Sequence, residues 1–181
     1  MPKNIVLTGP PQVGKTTVLQ RVGDRLAEIG HEVGGVYCPE CQVNGERIGI
    51  DLVDAMSGDF RTLAHINREA GPKIGDYRVD VAAVEEMYEA AFERGLADAD
   101  CIILDEIAPM QLECASFPGA VRSVLNDSIP VLASIAAAPT DGVIGEIKRR
   151  DDCEMIRMTE AERDRLPIDL AADLAVLIEG H

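Results

Sequence analysis

The sequence predicts an α/β protein: a mostly parallel sheet flanked by helices, with an antiparallel β-hairpin insertion at about residues 33–66. Three observations predict it. Apolar strand-like runs alternate with helix-like segments. A glycine-rich turn, Gly9–Thr17, joins the first strand pattern to the first helix pattern. Asn44-Gly45 lies between two extended segments, and Asn-Gly readily takes the positive φ angles of a type I′ turn.

Each element follows in order. Asn4–Thr8 is a short apolar run ending in the glycine-rich turn. Lys15–Ile29 has helical period, with Val18, Leu19, Val22, Leu26 and Ile29 on one face and Gly30 as the stop. Val33–Val43 and Glu46–Asp54 form the hairpin strands; Ile48, Ile50 and Leu52 alternate with Gly49 and Asp51, as burial of one face requires. Phe60–Ile66 adds a strand after the turn at Ser57-Gly58-Asp59. Asp80 caps a helix to about Arg94, with Val84, Met87, Tyr88, Ala91 and Phe92 as its stripe and Gly95 as its end. Cys101–Leu104 reads as a central parallel strand, apolar throughout. Pro118 opens a helix through Asn126. Val131–Ile135 is another buried strand, Val143–Arg150 a short helix and Cys153–Met158 a further strand. Thr159 and Glu162 have capping-box spacing, and Pro167–Glu179 is the last helix, with Leu170, Leu174 and Leu177 inward.

The 181 residues fit one domain spanning 1–181. Asp and Glu number 32 against 17 Lys and Arg, a net charge of −15. That field argues against nucleic acid and anionic membranes, which attract basic patches. So acidic a chain with little Lys suits a high-salt cytoplasm, and an ordinary acidic soluble protein equally. The longest apolar stretch, Val131–Pro139, falls far short of the ~20 residues of a membrane helix. The N-terminus lacks a signal peptide's apolar stretch, and five cysteines is an odd number, so a reduced cytoplasmic protein is expected. Oligomeric state is open, with a monomer as the working expectation.

The chemistry is concentrated in Gly9-Pro10-Pro11-Gln12-Val13-Gly14-Lys15-Thr16, followed by Thr17. It matches G-x-x-x-x-G-K-[ST], the phosphate-binding P-loop. Such a loop wraps so that successive backbone N–H groups point at phosphate oxygens. Gly9 and Gly14 permit the close approach, and the helix that follows adds the partial positive charge of its N-terminus. Lys15 is expected to reach the β- and γ-phosphates, Thr16 to ligate Mg²⁺ and Thr17 to reach the α-phosphate.

The second constellation is Cys101-Ile102-Ile103-Leu104-Asp105-Glu106. An apolar strand ending in an acid is a weak signal alone and a strong one downstream of a P-loop. Asp105 is expected to hold Mg²⁺ and Glu106 to polarise a water for in-line attack on the γ-phosphate. The Asp-Glu pair favours water over a second bound substrate as acceptor. A core parallel strand between the two motifs would place the sheet in the additional-strand branch of P-loop proteins, an analogy from fold.

The chain resembles the THEP1 family of small nucleoside-triphosphatases. Matching segments occur in order: Gly9–Thr17, Gly34-Gly35-Val36-Tyr37 through Pro39-Glu40, Arg47-Ile48-Gly49 to Val53-Asp54, Ile74-Gly75-Asp76-Tyr77, and Asp105-Glu106-Ile107 with Met110 and Leu112. The resemblance covers nearly the whole chain. It implies a RecA-like P-loop fold and slow, base-tolerant, Mg²⁺-dependent hydrolysis of nucleoside triphosphates (ATP, GTP, CTP, UTP) to diphosphate and phosphate. Two segments depart from the family pattern. Where the family often carries His-Arg after the strand at Val131–Ile135, this chain has Ala136-Ala137-Ala138, so Arg149 or Arg150 would have to supply that charge. Where the family tends to Asn-Arg-Asp, this chain has Glu162-Arg163-Asp164. Arg163 then either approaches the nucleotide or forms a surface ion pair.

Cys38-Pro39-Glu40-Cys41 has two readings: a metal or redox pair, or two strand cysteines. His31, His65 and His181 lack ligand spacing and are expected to face solvent. Two other functions fit a P-loop. One is a phosphotransferase, its acceptor site formed by the hairpin and the Arg149-Arg150 region. The other is a non-catalytic nucleotide-dependent switch, although no Asn-Lys-x-Asp guanine-reading motif occurs.

Overall fold

The computed structural model describes residues 1–180, so His181 lies outside the described residues. Five parallel strands form one half of a ten-stranded sheet: β1 (Asn4–Thr8), β2 (Val33–Tyr37), β8 (Cys101–Ile107), β9 (Val131–Ile135) and β10 (Cys153–Arg157), in the order β10-β1-β9-β8-β2. The sheet continues antiparallel through β4 (Glu46–Asp54), β5 (Phe60–His65), β7 (Tyr77–Val79) and β6 (Lys73–Ile74), with β3 (Glu40–Val43) paired to β4. β9 lies between β1, which carries the glycine-rich loop, and β8, which carries Asp105. This is the additional-strand arrangement.

The period-2 pattern of the parallel strands divides two cores. Val6, Ile102, Leu104 and Ala133 face one side, against α2 (Val81–Asp98), α4 (Phe117–Asn126) and α5 (Gly142–Lys148). Ile5, Leu7, Cys101, Ile103 and Leu132 face the other, against α1 (Lys15–Glu28) and α6 (Leu166–Glu179). Ile102, Ile103 and Leu104 are wholly buried, each contributing about 1.5–3 kcal/mol from burial. The strands therefore present the loop and the acidic pair toward the C-terminal ends of β1 and β8.

The sequence expectations need five corrections. Ile29, expected on the inward face of the first helix, follows the end of α1 and is exposed. Val33–Val43 is two strands, because Pro39 has no N–H to continue a ladder; β2 pairs parallel with β8 and antiparallel with β4, and β3 pairs with β4, so the antiparallel insertion spans residues 40–79 and not about 33–66. Gly95 does not end α2, which runs to Asp98. It serves a close approach instead: a Cβ on Gly34 of β2 would lie 2.7 Å from the Gly95 Cα. The short β6–β7 hairpin and α3 (Pro109–Leu112) carry too few residues to show a period. His31 is not free in solvent: its Nδ1 lies 3.6 Å from the Asp100 carboxylate, and its side chain is only 17% exposed.

Gly34→Ala should destabilise the protein by about 1–3 kcal/mol, because the backbone of Gly95 cannot yield. Gly119→Ala, in α4 with open space around it, should instead stabilise by about 0.5–1 kcal/mol. Urea midpoints of the two variants test the contrast.

Candidate active site at the glycine-rich loop

The loop between β1 and α1 turns on two left-handed residues, Gln12 (φ 63°) and Gly14 (φ 103°). A side chain on Gly14 would also meet the Arg163 guanidinium, 3.0 Å from its Nε. α1 has no side-chain cap and no acidic residue in its first turn. Its first N–H groups are therefore left for an anion. Lys15 is only 8% exposed and folds back over the loop, its Nζ donating to the carbonyls of Gly9 (3.1 Å) and Pro10 (3.3 Å).

Asp105 is fully buried at the end of β8. Its Oδ1 accepts from the Ser134 hydroxyl at 2.6 Å and its Oδ2 from the Cys38 N–H at 3.1 Å. Burial pushes its pKa up; hydrogen bonds from Ser134, Thr16 and the Cys38 backbone, with the charge of Lys15, pull it back. The adjacent Glu106 is also pushed up, first by burial and then by the charge of Asp105, while Lys15 and Arg47 oppose the shift. Glu106 thus responds to its neighbours as charges, not as hydrogen-bond donors. The Asp105–Glu106 peptide bond is cis. Behind it, the Asp105 carbonyl accepts from the Tyr88 hydroxyl at 3.1 Å, and the Cys38 thiol sits between Tyr88 (3.4 Å) and the Gln111 amide (3.6 Å).

A cleft of about 800 Å³ opens over these groups. Its floor is the loop, with Pro11, Gln12, Gly14, Lys15, Thr16 and Thr17. Glu106 and Gln111 line one wall, and Glu40, Gln42 and Arg47 of the β3–β4 hairpin form the other. A smaller apolar cavity of about 320 Å³ lies between α2 and α4, lined by Phe92, Leu96 and Phe117 among others and remote from the loop.

The expected site residues divide by position. Gly14, Lys15, Thr16, Thr17, Pro11, Gln12 and Glu106 face the cleft. Gly9 and Pro10 bind the Lys15 ammonium from behind, Val13 is in the core, and Asp105 sits beneath Thr16. Neither Arg149 nor Arg150 lines the cleft. Arg149 donates to the Thr140 carbonyl and Arg150 pairs with Asp152 beside Asn4, at the opposite end of β1. Arg163 touches the loop itself, its Nε donating to the Val13 carbonyl at 3.1 Å. Cys38 and Cys41 are free thiols in different settings: Cys38 points into the buried network, while Cys41 is on the hairpin beside Asp51.

Ser134, Gln111, Tyr88 and Arg47 were missed as site residues. Ser134 had a signal, as the lone polar residue in the buried run Val-Leu-Ala-Ser-Ile. Tyr88 falls in an apolar helical stripe and reads as core. Gln111 is 2% exposed, and its Oε1 has no partner. Such an orphan is visible only in three dimensions.

Comparison with known proteins agrees with this geometry. A family model described as NTPase matches residues 4–171. The nucleoside-triphosphatase THEP1 of Methanopyrus kandleri is 38% identical over 92% of this chain and 92% of its own. That of Methanothermobacter thermautotrophicus is 37% identical over 93% and 96%. The crystal structure of THEP1 from the hyperthermophile Aquifex aeolicus superposes with a TM-score of 0.84 at 28% identity, covering 94% of this chain and 98% of the other. The solution structure of a human cancer-related nucleoside triphosphatase superposes with a TM-score of 0.80 at 29% identity, covering 96% and 97%. With this loop, this acidic strand end and matches along nearly all of its length, the chain belongs to the THEP1 family of nucleoside-triphosphatases.

Proposed function

We propose that this chain hydrolyses nucleoside 5′-triphosphates to the diphosphate and orthophosphate in a slow, Mg²⁺-dependent reaction tolerant of the base. The observation that carries the reading is Glu106: a carboxylate with a raised pKa, facing the cleft it shares with Lys15 and the open N-terminus of α1.

Lys15 and the loop N–H groups hold the triphosphate tail and orient its γ-phosphorus. The Thr16 hydroxyl and Asp105 carboxylate are hydrogen-bonded hard-oxygen donors of the kind Mg²⁺ prefers. They would hold Mg²⁺, which when bound neutralises charge on the phosphates. Glu106 accepts a proton from water as the water oxygen bonds to the γ-phosphorus. The bond from that phosphorus to the bridging oxygen breaks, and its electron pair leaves on the diphosphate. The described residues include no helix long and apolar enough to cross a membrane. Cytoplasmic location, a monomeric state and indifference to nucleic acid complete the proposal.

The runner-up is phosphotransfer to a second substrate. The hairpin does line the cleft, but the Arg149-Arg150 region is not at it.

Phosphate release from ATP, GTP, CTP and UTP, with Mg²⁺ or with EDTA, tests the proposal directly. All four should be hydrolysed without any acceptor, and only with the metal; release that needs an added acceptor would establish the phosphotransferase instead. Glu106→Gln should abolish turnover while retaining nucleotide binding, and Lys15→Ala should weaken both. In pH, a raised carboxyl pKa keeps Glu106 protonated to higher pH than usual. The rate should therefore fall, on acidification, at a pH above the ordinary carboxyl value of 4.5. An acid limb of the kcat profile at that ordinary value would remove Glu106 as the base.

A further inference from the structure

Building on the hydrolytic reading, we infer that Arg47 is a catalytic residue: its guanidinium meets the γ-phosphoryl group across the cleft and stabilises the charge of the transition state. Phosphoryl transfer spreads negative charge over oxygens that the loop reaches from one side only. Among the described residues that line the cleft, only Lys15 and Arg47 are Lys or Arg. Lys15 belongs to the floor. The other nearby cations are engaged elsewhere. Arg163 binds the Val13 carbonyl and lies against Gly14. Lys148 donates to the carbonyls of Ala137 (2.7 Å) and Pro139 (2.6 Å), closing the turn that follows β9.

The setting of Arg47 is that of an oriented donor. Its Nε donates to the Tyr77 hydroxyl at 2.9 Å, and one terminal nitrogen, Nη1, donates to Glu40 at 3.1 Å. The Tyr77 hydroxyl in turn donates to the Arg47 carbonyl at 3.2 Å, and the guanidinium carbon lies 5.0 Å from the Tyr77 ring centre. These contacts come from one β4 residue, one β3 residue and the β6–β7 hairpin, so the antiparallel half of the sheet aims this one side chain. The second terminal nitrogen is left for a ligand, and the side chain is 33% exposed. Arg47 and the water-activating carboxylate of Glu106 line the same cleft. A donor held in place before the reaction needs no reorganisation during it, and a planar fork matches phosphoryl oxygens. Tyr77 is a positioning residue for Arg47.

The test compares wild type with Arg47→Ala, Arg47→Lys and Tyr77→Phe, measuring kcat and KM for ATP with Mg²⁺. Binding of ADP and of ADP with aluminium fluoride, a transition-state mimic, is measured alongside. Arg47→Ala should lose about 10²-fold or more in kcat. Its ADP affinity should stay within about 3-fold of wild type. Arg47→Lys should recover little, since an ammonium lacks the fork. Tyr77→Phe should lower kcat less than Arg47→Ala does, with ADP affinity intact. Added guanidinium should restore part of the Arg47→Ala rate, a rescue that a merely structural role would not show. Wild type should bind the fluoroaluminate complex far more tightly than ADP, and Arg47→Ala should lose that gain. If Arg47→Ala keeps the gain, or its kcat and ADP affinity fall together without rescue, the role of Arg47 is overturned while hydrolysis stands. If wild type shows no gain and releases no phosphate, the hydrolytic reading itself is overturned, and this inference with it.

Discussion

A carboxylate must be delivered to the buried end of an apolar strand, and much of the architecture follows from that constraint. Asp105 has no exposed surface. A buried charge costs several kcal/mol unless donors surround it. Its donors come from Ser134 on β9, from the backbone just past β2, and from Thr16 at the start of α1. β9 and β2 are the two neighbours of β8, and α1 is the helix that leaves β1. Satisfying one carboxylate therefore fixes the strand order, the end of β2 and the seat of the loop together. Burial still wins in part, and the raised pKa that remains is the kind of cost that functional sites carry.

The two halves of the sheet divide the work. The parallel half is a rigid three-layer stack whose strand ends present the loop and the acidic pair. The antiparallel half buries less: β3 has exposed or half-exposed residues throughout, and Phe60 of β5 is 69% exposed. Its contribution is a wall over the cleft. Electrostatics follow the same division. A chain of net charge −15 repels a free polyphosphate at a distance. In the proposed reading, attraction comes from the local cradle of backbone N–H groups and Lys15, with Arg47 on the facing wall, at ranges shorter than the screening length of salt.

Legibility in the sequence tracked the range of the interactions. The loop was readable because its motif occupies nine consecutive residues, Gly9–Thr17. The helices of α1 and α2 were readable because their buried stripes repeat every turn, and the Asn44-Gly45 turn because its φ angles are local, 51° and 81° in the structure. Where a residue answered to a distant partner, the local signal misled. Gly95 reads as a helix stop and is instead the small residue that lets β2 touch α2. Val33–Val43 reads as one strand, although its first half is built into the parallel sheet between β8 and β4 while its second half pairs with β4 alone.

By itself the sequence determined the fold class, the glycine-rich loop and the place of the acidic pair, since each rests on residues close together in the chain or on a regular period. Only the tertiary structure decided what surrounds them. Ser134 approaches Asp105 from 29 positions away, Tyr77 and Arg47 meet across 30, and Arg163 reaches Val13 across 150. No spacing rule encodes such pairs, because sheet order and loop closure bring them together, and those are set by the packing of the whole chain. The cleft is one of these products: its floor is written in a single motif, and its far wall exists only once the antiparallel strands have added themselves to the edge of the parallel sheet.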